Sequence, residues 1–197
     1  MTVKVGINGM GRIGRMVIRA IIESQNKDII IQHINNRSNS EASCTLIKYD
    51  SIHGKFNADL DFDENHLIIN NKKITFSQES KIEDINWKKF NVDYVFECTG
   101  KFNSKDELLA HIKNGAKKVI VSAPCENADK TIVYGVNENM LSKDDQIISA
   151  ASCTTNCLAP IAYVLNESFE IEKGFMTTIH AFTSDQRILD NSHKDPR

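Results

Sequence analysis

The feature that most constrains this chain is a glycine triplet, Gly9-Met10-Gly11-Arg12-Ile13-Gly14, set between two stretches of different periodicity. Val3 to Ile7 is a short apolar run, and Arg12 to about Glu23 is amphipathic, so the order is strand, tight turn, helix. In a G-x-G-x-x-G turn of this kind the first glycine permits the turn and the second lets backbone approach a pyrophosphate. The third lets the helix pack against the strand. The helix start then offers N–H groups and a partial positive charge to an anion. A glycine-rich turn without a ligand is the plainer alternative, and the strand and helix on either side favour the nucleotide site.

The rest of the chain repeats the alternation. Asp28 to Ile34 reads as a β-branched strand, Glu41 to Tyr49 as a short helix and Val92 to Cys98 as a buried strand. Asp106 to Asn114 reads as a helix stopped by Gly115, and Val119 to Ser122 as a further parallel-type strand. Asp59 to Ser77 looks like small antiparallel strands turning at Asn70-Asn71. Strands alternating with helices predict an α/β domain, a Rossmann-type and mostly parallel sheet over residues 1–150. Beyond Ile147 the character changes. A helix is expected from about Thr154 to Asn166 and a strand from Gly174 to His180, the beginning of an α+β domain over 151–197. That strand has nothing to cover it before the sequence stops, which suggests truncation.

Composition narrows the function classes. A formal net charge of -2 argues against a nucleic-acid footprint or a polybasic membrane surface. No run approaches the ~18 apolar residues of a membrane helix, and glycines and charges interrupt the N-terminus where a signal peptide would need an apolar stretch. Five cysteines without disulfide-like spacing suit a reducing, cytoplasmic setting.

Two further constellations carry chemistry. The second strand should end in an acidic residue that holds the ribose hydroxyls, yet here it ends His33-Ile34-Asn35-Asn36-Arg37-Ser38. An amide followed by a cation and a hydroxyl tolerates a 2′-phosphate that a carboxylate would repel, so NADP is favoured over NAD. The plainer alternative is that Arg37 is only a solvated loop charge, which is common. Ser152-Cys153-Thr154-Thr155-Asn156-Cys157 places a cysteine at a helix start, where the dipole lowers a thiol pKa and favours attack on a carbonyl. Cys157, one turn on, reads as a small hydrophobe. His180 in TTIHAFTSDQ is positioned in sequence to serve as a base, although a lone histidine is more often structural. A zinc site from these residues lacks a second close ligand pair, and no metal is expected.

Together the blocks VGINGMGRIGR, KYDSIHG, ECTGKF, GAKKVIVSAP, YGVNE, ASCTTNCLAP and TTIHAFTSDQ resemble the glyceraldehyde-3-phosphate dehydrogenase family, in order and over nearly the whole chain. The resemblance implies Arg12 and Ile13 at the pyrophosphate and Thr99, Gly100 and Phe102 on the adenine and ribose side. It implies Ser122 near the nicotinamide ribose, Cys153 as nucleophile and His180 as base. Ser152 and Thr154 would bind the attacking inorganic phosphate and Thr183 the phosphate of the aldehyde substrate. The implied reaction is phosphorylating oxidation of glyceraldehyde 3-phosphate to 1,3-bisphosphoglycerate through a Cys153 thioester, with hydride passing to NAD(P). Erythrose-4-phosphate dehydrogenase and a non-catalytic nucleotide-binding module are the alternatives. A homotetramer is the family expectation.

Three positions depart from the family pattern. NAD-using members usually carry aspartate where this chain has Asn36, and Leu-Pro where it has Asn191-Ser192. By resemblance to NADP-using relatives, Ser192 would reach a 2′-phosphate of a neighbouring subunit. Ala150 stands where the family usually has asparagine just before Ala-Ser-Cys.

Overall fold

The computed structural model describes residues 2–181 and 183. The chain divides into two compact units, the first ending at Pro160 and the second beginning at Ile161.

Strand β1 (Val3–Asn8) leads through the glycine turn into helix α1 (Arg12–Glu23), then β2 (Ile29–Asn35) and α2 (Ser40–Lys48). A small antiparallel pair, β3 (Tyr49–Asp50) and β4 (Gly54–Lys55), follows. Next come β5 (Leu60–Asp63), β6 (His66–Ile69), β7 (Lys72–Ser77), β8 (Tyr94–Glu97), α3 (Lys105–Lys113) and β9 (Lys118–Val121). Strands β10 (Lys130–Thr131) and β11 (Ile147–Ser149) precede helix α4 (Cys153–Phe169). The large sheet runs β10-β11-β9-β8-β1-β2-β7-β6-β5, parallel from β10 to β7 and antiparallel at β6 and β5. This is the expected α/β, Rossmann-type sheet, and the family pattern of strand alternating with helix explains why it is parallel: each crossover helix returns the chain to the same edge direction.

Apolar residues dictate where the core forms. Val5 and Ile7 of β1, Ile18 of α1, Ile31 and Ile34 of β2 and Phe56 fill one cluster. Trp87, Val95, Leu108, Val119, Val121 and Ile147 fill a second. Burying side chains of this size removes about 1.5–3 kcal/mol of exposure cost each, which is what holds the parallel strands together. Helix α1 spends its inward stripe on Gly14, Ile18 and Arg19. Arg19 is buried because its guanidinium finds acceptors, donating from Nε to Ile47 O at 2.9 Å and from Nη2 to Gly54 O at 3.0 Å.

One expectation is extended and one needs correction. The antiparallel strands expected over Asp59 to Ser77 are present, and β7 in addition pairs its other edge parallel with β2, His33 facing Thr75 and Asn35 facing Ser77. A strand has two edges, and the local pattern reports only the hairpin side. The strand expected from Gly174 to His180 is absent: residues 170–181 carry no regular secondary structure. Its β-branched residues need a neighbouring ladder, and among the described residues none is beside them.

Candidate functional site

Strand β1 lies between β2 and β8, so the chain winds outward from β1 in both directions and leaves a crevice at the carboxyl ends of these strands. A cleft of about 200 Å³ opens there, with Gly9, Met10 and Gly11 on one side, Asn36 and Arg37 on another, and Thr99 and Phe102 opposite.

The three glycines divide the labour by geometry. Gly9 adopts φ +95°, and a Cβ there would stand 2.8 Å from Thr99 N. A Cβ on Gly14 would stand 2.0 Å from Gly9 O, so the helix can seat against the strand only with glycine at that position. Among the described residues, Gly11's own chain neighbours apart, no atom lies within 4 Å of where its Cβ would be. Open space beside Gly11 coincides with a helix start that has no side-chain cap and no acidic residue in its first turn. The orphan N–H groups there suit an anion, so the cradle fits a dinucleotide pyrophosphate.

Arg12 donates from Nη1 to both Asp50 oxygens, at 3.1 and 3.0 Å. The Asp50 carboxyl is held well below the usual carboxylate range, first by the backbone N–H groups of His53 and Ile52 and then by Arg12. Ile13 is half exposed. Asn36 accepts from Met10 N–H at 3.3 Å and donates to Ser43 Oγ at 3.1 Å, tying the glycine turn to α2. Arg37 is exposed at the cleft. Thus Gly9, Gly11, Asn36, Arg37, Thr99 and Phe102 share one cleft. Arg12, Ile13, Gly14, Gly100 and Ser122 do not line it, although Gly100 follows Thr99 with φ +67° and Ser122 N–H donates to Glu97 O at 3.0 Å. Sequence reasoning missed Glu79, Ser80 and Lys81, which reach the cleft from the segment after β7. The parallel pairing of β7 with β2 carries them there, and no local motif announces it.

The nucleophile candidate sits on a separate turn. Ser149 Oγ donates to Ala123 O at 2.7 Å and accepts from Ala151 N–H at 3.1 Å. Ala151 is buried with φ +60°, a strained conformation for a residue with a Cβ. Ser152 caps α4, accepting from Thr155 N–H at 3.0 Å, and the Asn156 amide donates back to Ala150 O at 2.8 Å. At Ala150, then, the turn is held by backbone and by Asn156. Cys153 is exposed at the first position of α4, and Thr154 is half-buried beside it. Burial pushes the Cys98 thiol up to about 12 and raises the Cys44 and Cys125 thiols as well, so those three are poor nucleophiles. His180 and Thr183 belong to the second unit, where His180 is exposed and its Nδ1 contacts Ala181 O at 2.5 Å. Ser192 lies outside the described residues.

A parallel sheet with its cleft at a switch point and a glycine cradle at an uncapped helix defines a dinucleotide-binding protein. The family model for "Glyceraldehyde 3-phosphate dehydrogenase, NAD binding domain" matches residues 3–105, and that for the corresponding C-terminal domain matches 152–197. The chain belongs to the glyceraldehyde 3-phosphate dehydrogenase family. It is 50% identical over 199 residues to glyceraldehyde-3-phosphate dehydrogenase 2 of Bacillus subtilis, covering 100% of this chain and 58% of that protein. It is 48% identical over 195 residues to the enzyme of Cereibacter sphaeroides, covering 99% of this chain and 58% of that protein. It is also 48% identical over 198 residues to the enzyme of Geobacillus stearothermophilus, covering 100% and 58% respectively. The chain therefore spans a little over half the length of the curated relatives it matches.

Proposed function

We propose that this chain carries the cofactor site and the nucleophile of a phosphorylating glyceraldehyde-3-phosphate dehydrogenase, with the cofactor domain over 1–150 and the catalytic domain beginning at 151. The observation that carries this reading is the glycine cradle at the switch point, combined with an exposed Cys153 at the first position of a capped helix. Bound in the cleft, the nicotinamide cofactor supplies a hydride acceptor. Gly9, Gly11 and the α1 N–H groups would hold its pyrophosphate, with Arg12 and Ile13 flanking that site, Thr99, Gly100 and Phe102 on the adenine and ribose side and Ser122 near the nicotinamide ribose.

Cys153 adds to the aldehyde carbonyl to give a hemithioacetal; with its hydroxyl proton passing to His180 and a hydride to the nicotinamide acceptor this would become the thioester, which inorganic phosphate attacks, releasing the acyl phosphate and the Cys153 thiolate. The helix start stabilises the thiolate and the oxyanion. The roles of His180 as base, Ser152 and Thr154 on inorganic phosphate, and Thr183 on the substrate phosphate rest on the family motifs. So do a homotetramer and a cytoplasmic setting. Among the described residues no helix is long and apolar enough to cross a membrane.

NADP is the favoured cofactor. Strand β2 ends in amides, and three cations, Arg37, Lys81 and Lys101, border the cleft against one carboxylate, Glu79. That balance suits an additional phosphate. The test is the initial rate of reduced-nicotinamide formation with glyceraldehyde 3-phosphate, inorganic phosphate, and NAD or NADP in turn. The expected result is a higher rate with NADP, shifted toward NAD by Asn36→Asp. A rate confined to NAD overturns the cofactor reading. A faster rate with erythrose 4-phosphate would move the substrate assignment. No rate, with dinucleotide still bound, would leave a cofactor module without turnover.

A further inference from the structure

The last residues of four neighbouring parallel strands, Glu97 of β8, Asn8 of β1, Asn35 of β2 and Ser77 of β7, are paired in register. In a parallel sheet, residues in register present their side chains to the same face. These four form one hydrogen-bonded row across the sheet, just beneath the cleft. Asn8 donates to Glu97 Oε2 at 2.6 Å, Asn35 donates to Asn8 Oδ1 at 2.9 Å, and Ser77 Oγ donates to Asn35 Oδ1 at 2.8 Å.

Glu97 anchors the row. It is 1% exposed and, among the described residues, no Lys or Arg is paired with it, so hydrogen bonds must offset the cost of burying its carboxylate. Four donors do so. Oε2 accepts from Asn8 and from His111 Nε2 at 3.1 Å, and Oε1 accepts from Thr99 N–H at 2.8 Å and from the Thr99 hydroxyl. The proton on His111 is dictated from behind. Trp87 Nε1 lies 2.8 Å from His111 Nδ1, and an indole N–H can only donate, so Nδ1 accepts and the ring proton sits on Nε2, facing Glu97.

We propose that Glu97 is the positioning residue of the dinucleotide cleft: its carboxylate, oriented by the Trp87–His111 relay, holds Thr99 against the glycine turn. This inference rests on the nucleotide reading above. Both Thr99 bonds to Oε1 fix the backbone at the end of β8, and Thr99 N is the atom against which Gly9 is packed so closely that no Cβ fits. On the other side Glu97 holds Asn8, and through Asn8 it holds Asn35, whose carbonyl accepts from Gly9 N–H at 2.8 Å. One carboxylate thereby braces the first glycine of the cradle from two directions without lining the cleft itself.

An amide cannot replace it. Glutamine offers one acceptor oxygen and one NH₂, so either the Thr99 pair or the Asn8 and His111 pair meets a donor with a donor. His111 cannot relieve the clash by changing tautomer, because Nδ1 is committed to Trp87.

The experiment is titration of the full chain and its variants with NAD and NADP, with circular dichroism to confirm folding and emission from Trp87, the sole tryptophan. Glu97→Gln is expected to weaken binding about tenfold or more and to shift the Trp87 emission. His111→Leu is expected to weaken binding severalfold although His111 does not line the cleft. His111→Gln, whose amide can accept from Trp87 and donate to Glu97, is expected to restore it. If Glu97→Gln does not fold, the two His111 variants decide, since a merely structural histidine would lose stability without this split in affinity. Parent-like affinity in Glu97→Gln, or equal affinity in His111→Leu and His111→Gln, overturns the positioning role alone. A parent chain that binds neither dinucleotide overturns the nucleotide reading and this inference with it.

Discussion

Strand β2 and the segment 174–180 make an instructive pair. Ile29–Asn35 reads IIIQHIN and 174–180 reads GFMTTIH, both rich in β-branched residues and both ending near a histidine. The first is a central strand with Ile34 fully buried, and the second has no regular structure and exposes Phe175 and Ile179. Intrinsic preference is similar in the two. The difference is that β2 has β1 on one edge and β7 on the other, each supplying a hydrogen-bonded ladder and an apolar face. β-propensity is a statement about fit to a half-buried pleated surface, and without that surface it produces no strand.

The largest test of that contrast is stability. Ile34→Ala in β2 is expected to cost about 2–5 kcal/mol in denaturant unfolding, while Val164→Ala, at a position 60% exposed on α4, is expected to change it by less than about 0.5 kcal/mol. Equal costs would mean the second region is packed as tightly as the first.

Acid is the next lever, and it acts on the first region. Burial, with Lys89 nearby, lowers His33 from 6.5 to about 3. Its ring stacks on Phe90 at 3.7 Å and contacts Thr75 Oγ1 and Ser77 Oγ, each at 2.8 Å. The folded state thus binds fewer protons than the unfolded one below pH 6.5, so stability falls as pH drops through that value toward 3. At about 1.4 kcal/mol per pH unit the loss reaches about 2 kcal/mol by pH 5. Between pH 6.5 and about 5 this slope lies above the range in which Asp50, Asp63, Asp93 and Asp129, all lowered, would contribute, and below about 5 their losses add to it. Unfolding titrations at stepped pH should show the slope, and His33→Gln should flatten it. A parent chain equally stable at pH 7 and pH 5 would contradict the assignment.

The smallest effect is kinetic and compares thiols across the chain. Near neutral pH, Cys153 is expected to alkylate about tenfold faster than Cys157, which is also exposed but one turn further from the helix start, and faster still than Cys44, Cys98 and Cys125. Mass spectrometry of partially labelled chain measures the order. Equal rates at Cys153 and Cys157 would remove the helix start as an activating influence.

Much of the cofactor half was legible in residues close together along the chain. The Gly9–Gly14 turn, the helix that follows it and the Asn70-Asn71 hairpin each follow from local sterics, and both asparagines do adopt positive φ. The Cys153 turn was legible for the same reason, since a capping serine and a helix start are neighbours in sequence. Glu79 and Lys81 were not, because their place at the cleft depends on β7 pairing with β2 more than 40 residues away.

By itself, then, the sequence determined the alternation of strand and helix, the glycine cradle and the family, because these depend on periodicity, backbone sterics and motif order. Only the tertiary structure decided that Glu97, Asn8, Asn35 and Ser77 meet in one row, with His111 and Trp87 behind it. Each of those side chains is an ordinary polar residue in its own segment. What makes them a unit is the register of four parallel strands, and register is set by burial and ladder geometry between segments distant in the chain.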